Sequence, residues 1–407
     1  MPEPEVLRSE PSPSMRKVSV IQREIPHYRI RFFEELYGQG RDQGLDIRVY
    51  CAELPAQTPS SLVFPMQLLP VRYFGKKKSS SYWLYGLAKA IAGSDVVVAP
   101  QELQCLTVPY LWVRRKQICK TWIWWGHGYN FQAAVRPSPA TKMKEAAKGF
   151  MTRRADGLIT YTERGAEYWR KRGLPEDRVM PYYNTIDVDE LRRAAAEIGE
   201  PQRLELRRKL ILEGKQVLLF SGRLYAEKKV DFLLRAFALL KESRSDLSLL
   251  IIGDGEERNR LQQTAKRLEL QDVHFLGEIV TPKDTAAYFS LADLMVIPSL
   301  VGLVIVHGFA FGLPLITTDS PGHGPELEYL TENNGVMTGR DPSRYAEAIR
   351  MLLSSPPRLE AMKRSALAQG DTLKLEYSVR RFVNGITQLS KKSEMYRRWN
   401  DMMSEAQ

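Results

Sequence analysis

The sequence between residues 217 and 319 alternates short apolar runs with helical patterns. The apolar runs lie at residues 217–220, 247–252, 273–276, 294–297 and 315–318. Helical patterns occupy residues 231–241, 256–268, 285–292 and 304–311. Strands that alternate with helices form βαβ units, so this region predicts a doubly wound α/β domain built on a parallel sheet.

Three loops of this region follow predicted strands, at residues 221–228, 253–257 and 298–312. Ligands of a doubly wound sheet bind at the carboxyl ends of its strands, so these loops form the predicted binding site. Arg223 stands at a strand tip and Lys228 stands before the next helix. This spacing suits a clamp on a phosphate-bearing ligand without a metal ion. The alternative is that both are ordinary cations on exposed loops.

The first half of the chain repeats the pattern. Predicted strands lie at residues 18–21, 47–50, 95–99, 121–125 and 155–160, and predicted helices at residues 32–37, 82–92, 141–154 and 163–172. A chain of 407 residues is too long for one ordinary core, so two domains are expected. We predict a disordered leader at residues 1–15, an N-terminal domain at 16–186, a C-terminal domain at 187–376, and a basic helix at 377–407 that returns to the N-terminal domain.

The chain is basic, with a net charge of +11. This charge favours an anionic partner: nucleic acid, an anionic membrane surface or a phosphorylated substrate. Nucleic acid is not expected, because no basic recognition helix, zinc-finger spacing or aromatic RNA-binding signature occurs. Basic clusters at residues 76–78, 114–116 and within 377–403 favour a membrane surface, and solvated faces are the alternative.

The compartment is predicted from cysteine usage and from hydropathy. Cys51, Cys105 and Cys119 are odd in number and have no ligand-like spacing, which indicates reduced thiols and no metal site. The N-terminal residues contain no apolar core of a signal peptide, and no run of 18 apolar residues occurs. We therefore expect a cytoplasmic protein, peripheral at the inner face of the membrane.

In the first half of the chain, polar side chains follow two of the predicted strands. His27, Tyr28 and Arg29 lie in the exit loop of the first strand, where they could face a ligand or simply cover the surface. Gly126 and Gly128 flank His127 at the end of another strand. The glycines let the backbone approach a ligand and place the imidazole at the strand tip, whereas a structural histidine is the alternative.

Several motifs resemble landmarks of retaining glycosyltransferase family 4. In the second half they are Gly222, Arg223 and Leu224 with Glu227 and Lys228; Ala292 and Asp293 with Pro298 and Ser299; and Gly312 and Pro314 with Thr317. In the first half they are Ala155 with Asp156, and Tyr183 and Asn184 with Ile186 and Asp187. The resemblance is good in the second half and poor near the N-terminus. It implies the GT-B fold, two doubly wound Rossmann-like domains that face each other across a cleft.

The resemblance also implies residue roles. The residues expected to hold the diphosphate of a nucleotide-sugar donor are Gly222, Arg223, Lys228, Gly302, Leu303 and Val304, the last three through backbone N–H groups. Glu326 resembles a downstream glutamate of the family, and a residue that stabilises a helix N-terminus is the alternative. On the acceptor side the candidates are His27, Tyr28, Arg29 and Asn184, and His127 would orient the donor sugar or the acceptor.

The sequence departs from the family at two places. The family has glutamates at both ends of a nine-residue segment, and Ser299 and His307 stand at those places here. In the family the second glutamate binds the nucleotide ribose and the first contacts the donor sugar. His307 retains the capacity for a hydrogen bond to ribose, whereas Ser299 is short and uncharged. Core packing of His307 against apolar neighbours is the alternative.

The sequence as a whole predicts a retaining, metal-independent hexosyl- or related glycosyltransferase that uses no cofactor. By the resemblance, the leaving phosphate helps to deprotonate an acceptor hydroxyl that attacks from the same face. A lipid-linked or saccharide acceptor in polysaccharide, lipopolysaccharide or glycolipid assembly is expected. The alternatives are a nucleotide-sugar epimerase, which needs paired carboxylates, and a non-catalytic nucleotide-sugar-binding scaffold. A dinucleotide site is disfavoured, because Arg258 occupies the third glycine position after Gly253 and Gly255.

Overall fold

The computed structural model describes residues 15–54, 62–75, 81–129 and 138–405. Most of the predicted leader and all of the basic cluster at residues 76–78 lie outside these ranges. The chain divides into two units. The first contains the described residues up to Asn184 together with Glu376 and the residues after it, and the second runs from Thr185 to Leu375.

The first unit is built on parallel strands that are covered by helices. Its strands are β1 (Arg16–Ile21), β2 (Leu45–Cys51), β3 (Met66–Leu68), β4 (Val71–Phe74), β5 (Ser81–Leu84), β6 (Ser94–Pro100), β7 (Cys119–Gly126), β8 (Gly157–Thr160) and β9 (Val179–Pro181). Its first helices are α1 (Ile30–Asp42), α2 (Leu87–Ala90), α3 (Thr107–Val113), α4 (Arg115–Ile118), α5 (Pro139–Arg153) and α6 (Glu163–Arg170). The main sheet has the strand order β3-β2-β1-β6-β7-β8-β9 and is parallel throughout.

The prediction of a helix at residues 82–92 is wrong for its first part, which forms a strand. β4 and β5 pair as an antiparallel hairpin, and only the short helix α2 follows them. Tyr82 and Leu84 are buried in the core, whereas the residues that alternate with them are only half-buried. This period-two burial stabilises a strand, and it outweighs the helical spacing that the sequence suggested.

The second unit repeats the architecture. Its elements are α7 (Val188–Ala196), α8 (Glu200–Lys209), β10 (Gln216–Ser221), α9 (Val230–Lys241), β11 (Leu247–Ile252), α10 (Arg258–Arg267), β12 (Val273–Gly277), α11 (Pro282–Phe289), β13 (Leu294–Val296), α12 (Val304–Ala310), β14 (Leu315–Thr318), β15 (Gly335–Thr338), α13 (Pro342–Leu353) and α14 (Pro356–Thr372). The parallel sheet has the order β12-β11-β10-β13-β14-β15. The order reverses between β10 and β13, which is where such sheets bind ligands.

The final helix, α15 (Leu375–Glu405), completes the core of the first unit. Its Phe382 lies with ring centroids 4.8 Å from Trp125, 5.4 Å from Phe32 and 5.2 Å from Tyr182. Burial of aromatic rings of this size contributes a large share of the stability of a domain core. Among the described residues, no helix is both long and apolar enough to cross a membrane.

Candidate functional site

The strand order of the second unit brings two loops together. The loops that follow β10 and β13 lie on either side of the point where the order reverses. Gly253, which follows the neighbouring strand β11, packs so closely that a Cβ atom there would lie 2.0 Å from the carbonyl oxygen of Gly222. A side chain at Gly253 would therefore push the loop that carries Arg223 and Lys228 out of place.

Lys228 joins the two loops directly. Its Nζ atom donates a hydrogen bond of 2.7 Å to the carbonyl oxygen of Leu300. Leu300 has a φ of 51°, a conformation that a leucine rarely adopts, so other contacts must stabilise this turn. A Cβ atom at Gly222 would lie 3.6 Å from the same Nζ atom, which places the ammonium beside the Gly222 backbone.

The ammonium of Lys228 lies in an unfavourable electrostatic environment. Burial, and secondly the positive charge of Arg223, lower the pKa of Lys228 from its ordinary value of 10.5 to about 8. Arg223 is exposed, whereas Lys228 is half-buried. A concentrated positive charge of this kind attracts an anionic ligand, because the ligand would offset the repulsion.

His323, which was not predicted as a site residue, fixes the turn after β13. Its Nδ1 atom accepts a hydrogen bond of 3.0 Å from the N–H of Val301, and its Nε2 atom lies 2.9 Å from the carbonyl oxygen of Thr318. The first contact makes Nε2–H the donor to Thr318, so the ring is neutral. Burial lowers the pKa of His323, the hydrogen bond to Thr318 raises it, and the charge of Lys228 lowers it further. The Gly–His–Gly pattern at Gly322–Gly324 was a signal that could have identified it.

Two more hydrogen bonds complete the support of this turn. The N–H of Gly324 donates to the carbonyl oxygen of Val301 at 2.6 Å, and the hydroxyl of Thr318 donates to the carbonyl oxygen of Pro298 at 2.6 Å. The turn is thus attached to strand β14 and to the segment after it. These bonds offset the strain at Leu300 and hold the turn in one conformation.

Glu326 lies next to the same turn. It is buried, and its Oε2 atom is 3.8 Å from the position of a Cβ atom at Gly302 and 2.8 Å from that of one at Gly324. The structure therefore places this predicted donor-binding residue beside Gly302, another predicted one. Its role in binding stays a prediction, since it also stands in the first turn of a short 3-10 helix.

The remaining candidates of the second unit follow the turn. Ser299 is buried, and Leu303 immediately precedes α12, which begins at Val304. His307 is half-buried, its Nδ1 atom lies 3.3 Å from the carbonyl oxygen of Leu303, and its ring centroid lies 6.0 Å from that of Phe289. The contact with Phe289 shows that His307 packs against α11, and a ribose contact stays a prediction. Within the described ranges no group of three or more His, Cys, Asp or Glu could hold a metal ion.

In the first unit the structure brings three predicted residues close together. Arg29 is buried and donates hydrogen bonds to the Tyr182 hydroxyl (3.1 Å) and to Asn184 Oδ1 (2.9 Å). The charge of Arg29 also acts on His127 at the end of β7. By contrast, His27 and Tyr28 point to the surface, where their rings form a T-shaped pair 5.5 Å apart. The predicted trio at the exit of β1 is therefore divided.

His127 lies against an aromatic ring and near positive charges. Its ring centroid is 4.2 Å from that of Tyr161. The surrounding protein, and then the charges of Arg29 and Lys148, lower the pKa of His127 below its ordinary value. His127 keeps exposed surface, so solvent screens part of this effect. The imidazole is therefore neutral at pH 7 and can both donate and accept a hydrogen bond.

Gly128 is required by packing. Its φ is +85°, and a Cβ atom there would lie 2.7 Å from the Cα atom of Gly165 on α6. Its carbonyl oxygen also accepts a hydrogen bond of 2.5 Å from the indole of Trp169. The loop after β7 is thus fixed against α6, which sets the position of His127.

A further polar cluster lies where the strand order of the first unit reverses, between β1 and β6. Tyr82 donates a hydrogen bond of 2.9 Å to Glu102, and the guanidinium of Arg23 lies 5.5 Å from the Tyr82 ring centroid. Burial raises the pKa of Glu102, and the hydrogen bond from Tyr82 and the charge of Arg23 oppose this rise. Glu102 was not predicted as a site residue, because nothing in its local sequence shows that Tyr82 and Arg23 lie beside it.

Comparison with known proteins finds a family match within the second unit. Residues 202–369 match the family model described as glycosyl transferases group 1. The match lies within the second unit and covers less than half of the chain. The predicted family resemblance is confirmed at this level. The matched residues include Arg223, Lys228 and the turn at Leu300, so the two loops described above belong to the matched part of the chain.

Curated relatives match about half of this chain. Alpha-D-kanosaminyltransferase of Streptomyces kanamyceticus is 28% identical over 54% of this chain and 57% of its own length. Alpha-monoglucosyldiacylglycerol synthase of Streptococcus pneumoniae is 31% identical over 46% of this chain and 42% of its own length. The chain therefore spans about half the length of the relatives it matches.

Solved structures confirm the fold over both units. HepE of Anabaena, in complex with UDP and glucose, superposes with a TM-score of 0.69 over 91% of this chain and 99% of its own, at 16% identity. WaaG, described as a glycosyltransferase involved in lipopolysaccharide biosynthesis, gives a TM-score of 0.65 over 91% and 99%, at 18% identity. The GT-B fold with two Rossmann-like domains, predicted from sequence, is confirmed.

The low pKa of Lys228 predicts opposite pH effects on ligand affinity and on stability. A protonated ammonium binds an anion better, so the affinity ratio of the wild type to Lys228→Met for pyrophosphate should fall about tenfold per pH unit above about 8. Because the pKa is lower in the folded protein than in the unfolded chain, deprotonation favours folding, and the contribution of Lys228 to stability should rise from about pH 8 to 10.5. Calorimetry and urea unfolding over this range test both slopes. A constant affinity ratio would contradict the assignment.

Proposed function

We propose that the protein is a retaining, metal-independent glycosyltransferase that moves a sugar from a nucleotide-diphosphate donor to a hydroxyl acceptor. The main support is the half-buried ammonium of Lys228, held on the Leu300 carbonyl at the switch point of a group 1 domain. When the glycosidic bond of the donor breaks, negative charge accumulates on the leaving diphosphate. Lys228 and the exposed Arg223 stabilise that charge, which lowers the barrier.

Retention without a protein nucleophile fits the residues of the second unit. The turn after β13 carries Ser299 where the family has a glutamate, so the donor sugar meets a hydroxyl at that position, and the carboxylate beside this turn is that of Glu326, next to Gly302. In the proposed reaction the leaving phosphate accepts the proton of the attacking hydroxyl. An epimerase would need carboxylates facing the sugar, and Ser299 and His307 do not supply them.

The acceptor is proposed to bind to the first unit. His127 is neutral and stands at the end of β7, so it can donate a hydrogen bond to a sugar hydroxyl or accept one from it. Glu102, which accepts a hydrogen bond from the buried Tyr82, offers an additional carboxylate after β6. Among the similar proteins, one is named a synthase of a glycosylated diacylglycerol and another is described in lipopolysaccharide biosynthesis. We propose assembly of a polysaccharide or glycolipid, at the cytoplasmic face of a membrane.

Substitution of the two cations tests the proposal. Arg223→Ala and Lys228→Ala should each slow sugar transfer by roughly a hundredfold or more, because each removes a donor that stabilises the leaving diphosphate. Lys266→Ala, which removes an exposed cation on α10, is the matched control and should retain full turnover. Turnover is measured with a panel of nucleotide-sugars and acceptors. Normal rates in both variants would refute the clamp, and a wild type that binds nucleotide-sugars without turnover would be a scaffold.

His307 provides a second test within the donor site. If its imidazole contacts the ribose, His307→Ala should weaken binding of a bare nucleoside diphosphate by roughly three- to a hundredfold, the cost of one hydrogen bond. His307→Leu keeps the packing against Phe289 and should show the same loss. Calorimetry measures the affinity. Affinity that is reduced in the alanine variant but restored in the leucine variant would leave only the packing role.

The membrane proposal rests on a surface of the first unit formed by α3, α4 and α5. Arg115 on α4 donates a hydrogen bond to the carbonyl oxygen of Arg154 and ties these helices together. Val113 is 73% exposed and Phe150 48% exposed, and Arg114 and Arg154 stand among them. An apolar surface with cations beside it suits an anionic leaflet, to which each cation contributes about 1 kcal/mol.

Vesicle binding tests this surface. Arg114→Glu combined with Lys116→Glu should weaken binding to anionic vesicles, and added salt should weaken wild-type binding, because the attraction is electrostatic. Sedimentation with vesicles of anionic and of neutral lipid measures both. Lys171→Glu, at an exposed cation after α6, is the control. Binding that persists at high salt, or that is absent altogether, would contradict the proposal.

A further inference from the structure

Arg29 is a buried cation with no counter-charge among the described residues. Only 8% of its surface is exposed, and no carboxylate of the described residues lies within ion-pair distance of it. Its hydrogen-bond partners are the neutral Tyr182 hydroxyl and Asn184 amide oxygen. Arginine remains protonated in proteins, so a full positive charge is removed from water here.

Aromatic rings surround this charge. The guanidinium carbon lies 5.2 Å from the ring centroids of Trp125 and Tyr161 and 5.6 Å from that of Phe32. Contact with ring faces partly replaces the lost hydration, but it does not neutralise the charge. The rings also hold the planar guanidinium in one orientation, which prepares it for a ligand that makes two parallel hydrogen bonds.

Within the described part of the chain, the guanidinium retains donors for such a ligand. A guanidinium has five N–H groups. Those that bond to Tyr182 and Asn184 account for two of them. Lys148, a second cation near His127, forms an ion pair with Glu145 at 2.9 Å. His127, at the exposed end of β7, gives the cluster a side that faces solvent.

We propose that the first unit contains an oxyanion-binding site, in which Arg29 binds the phosphate or carboxylate of an acidic ligand and His127 contacts the same ligand. The conclusion that this ligand is the acceptor rests on the proposed glycosyltransferase function. The site itself does not depend on it. A bound anion would supply the counter-charge that Arg29 lacks within the described part of the chain, so charge neutralisation contributes to the affinity.

A purely structural role for Arg29 makes a different prediction. A structural arginine would stabilise the fold through its rings and its two hydrogen bonds, and anions would leave the surroundings of His127 unchanged. An occupied site would bring negative charge to Arg29, reduce its repulsion of the imidazolium and raise the pKa of His127. The two roles are therefore distinguished at His127.

The test is a titration of the full chain labelled at its histidines, followed by NMR, with His127→Asn used to assign the His127 resonance. Inorganic phosphate, glycerol phosphate and glucuronate are added at constant ionic strength, against chloride as reference. At least one oxyanion should shift the His127 resonance saturably and raise its pKa. Phosphate esters and glucuronate distinguish a phosphate from a carboxylate ligand. If none gives a saturable shift, the proposal is overturned.

Substitutions at Arg29 and Arg31 test whether the oxyanion binds at Arg29. Arg29→Gln should weaken oxyanion binding by roughly ten- to a hundredfold, and Arg31→Gln, at an exposed arginine in the first turn of α1, should leave it unchanged. If Arg29→Gln does not fold, Arg29→Lys should fold and bind about tenfold more weakly, because it keeps the charge but loses the planar pair of donors. Equal binding in the Arg29 variant and the wild type would also overturn the site.

Lys228→Ala separates this site from the donor site. If the glycosyltransferase proposal fails, nucleotide-sugars give no turnover, but the His127 shift persists in Lys228→Ala and the anion site stands. If the His127 shift disappears in Lys228→Ala and persists in Arg29→Gln, phosphate binds only to the second unit. That result would reject the site at Arg29 and leave the donor site intact.

Discussion

The hydrogen bond from Lys228 to the Leu300 carbonyl is the contact on which the proposed donor site depends. It joins the loops after β10 and β13, and it holds a positive charge at the place where the strand order reverses. The same bond acts on Leu300, whose positive φ requires support from its surroundings. His323 and Thr318 supply the rest of that support. The charge and the turn are therefore held by one connected set of contacts.

The two units arrange charge in a similar way. Each contains a cation with no carboxylate beside it in the described residues, Lys228 in one and Arg29 in the other, and each places a neutral histidine near that cation. A buried charge without a partner costs several kcal/mol, which the folded chain must recover elsewhere. At Arg29 the aromatic ring faces offset part of this free-energy cost, and at Lys228 a carbonyl oxygen does so. An anionic ligand would recover more in both units.

The local sequence was sufficient to predict most of the strands and helices of the second unit. The strands predicted at residues 247–252 and 315–318 coincide with β11 and β14, because continuous apolar runs between polar loops have few other solutions in a parallel sheet. Prediction failed at residues 82–92, where the burial of Tyr82 and Leu84 on one face of a hairpin stabilised a strand. β15, α13 and α14 were not predicted either, because the periodicity of their sequences was not recognised.

The sequence by itself determined the fold class, the family resemblance of the second unit and the identity of the two cations at its loops, since these follow from local patterns and motifs. Only the tertiary structure decided which residues act together. It separated Arg29 from His27 and Tyr28, joined it to Asn184, and placed His323 between Val301 and Thr318. Such contacts link residues that are distant in the chain, and the energy of a buried charge depends on the whole of its surroundings, which no local pattern specifies.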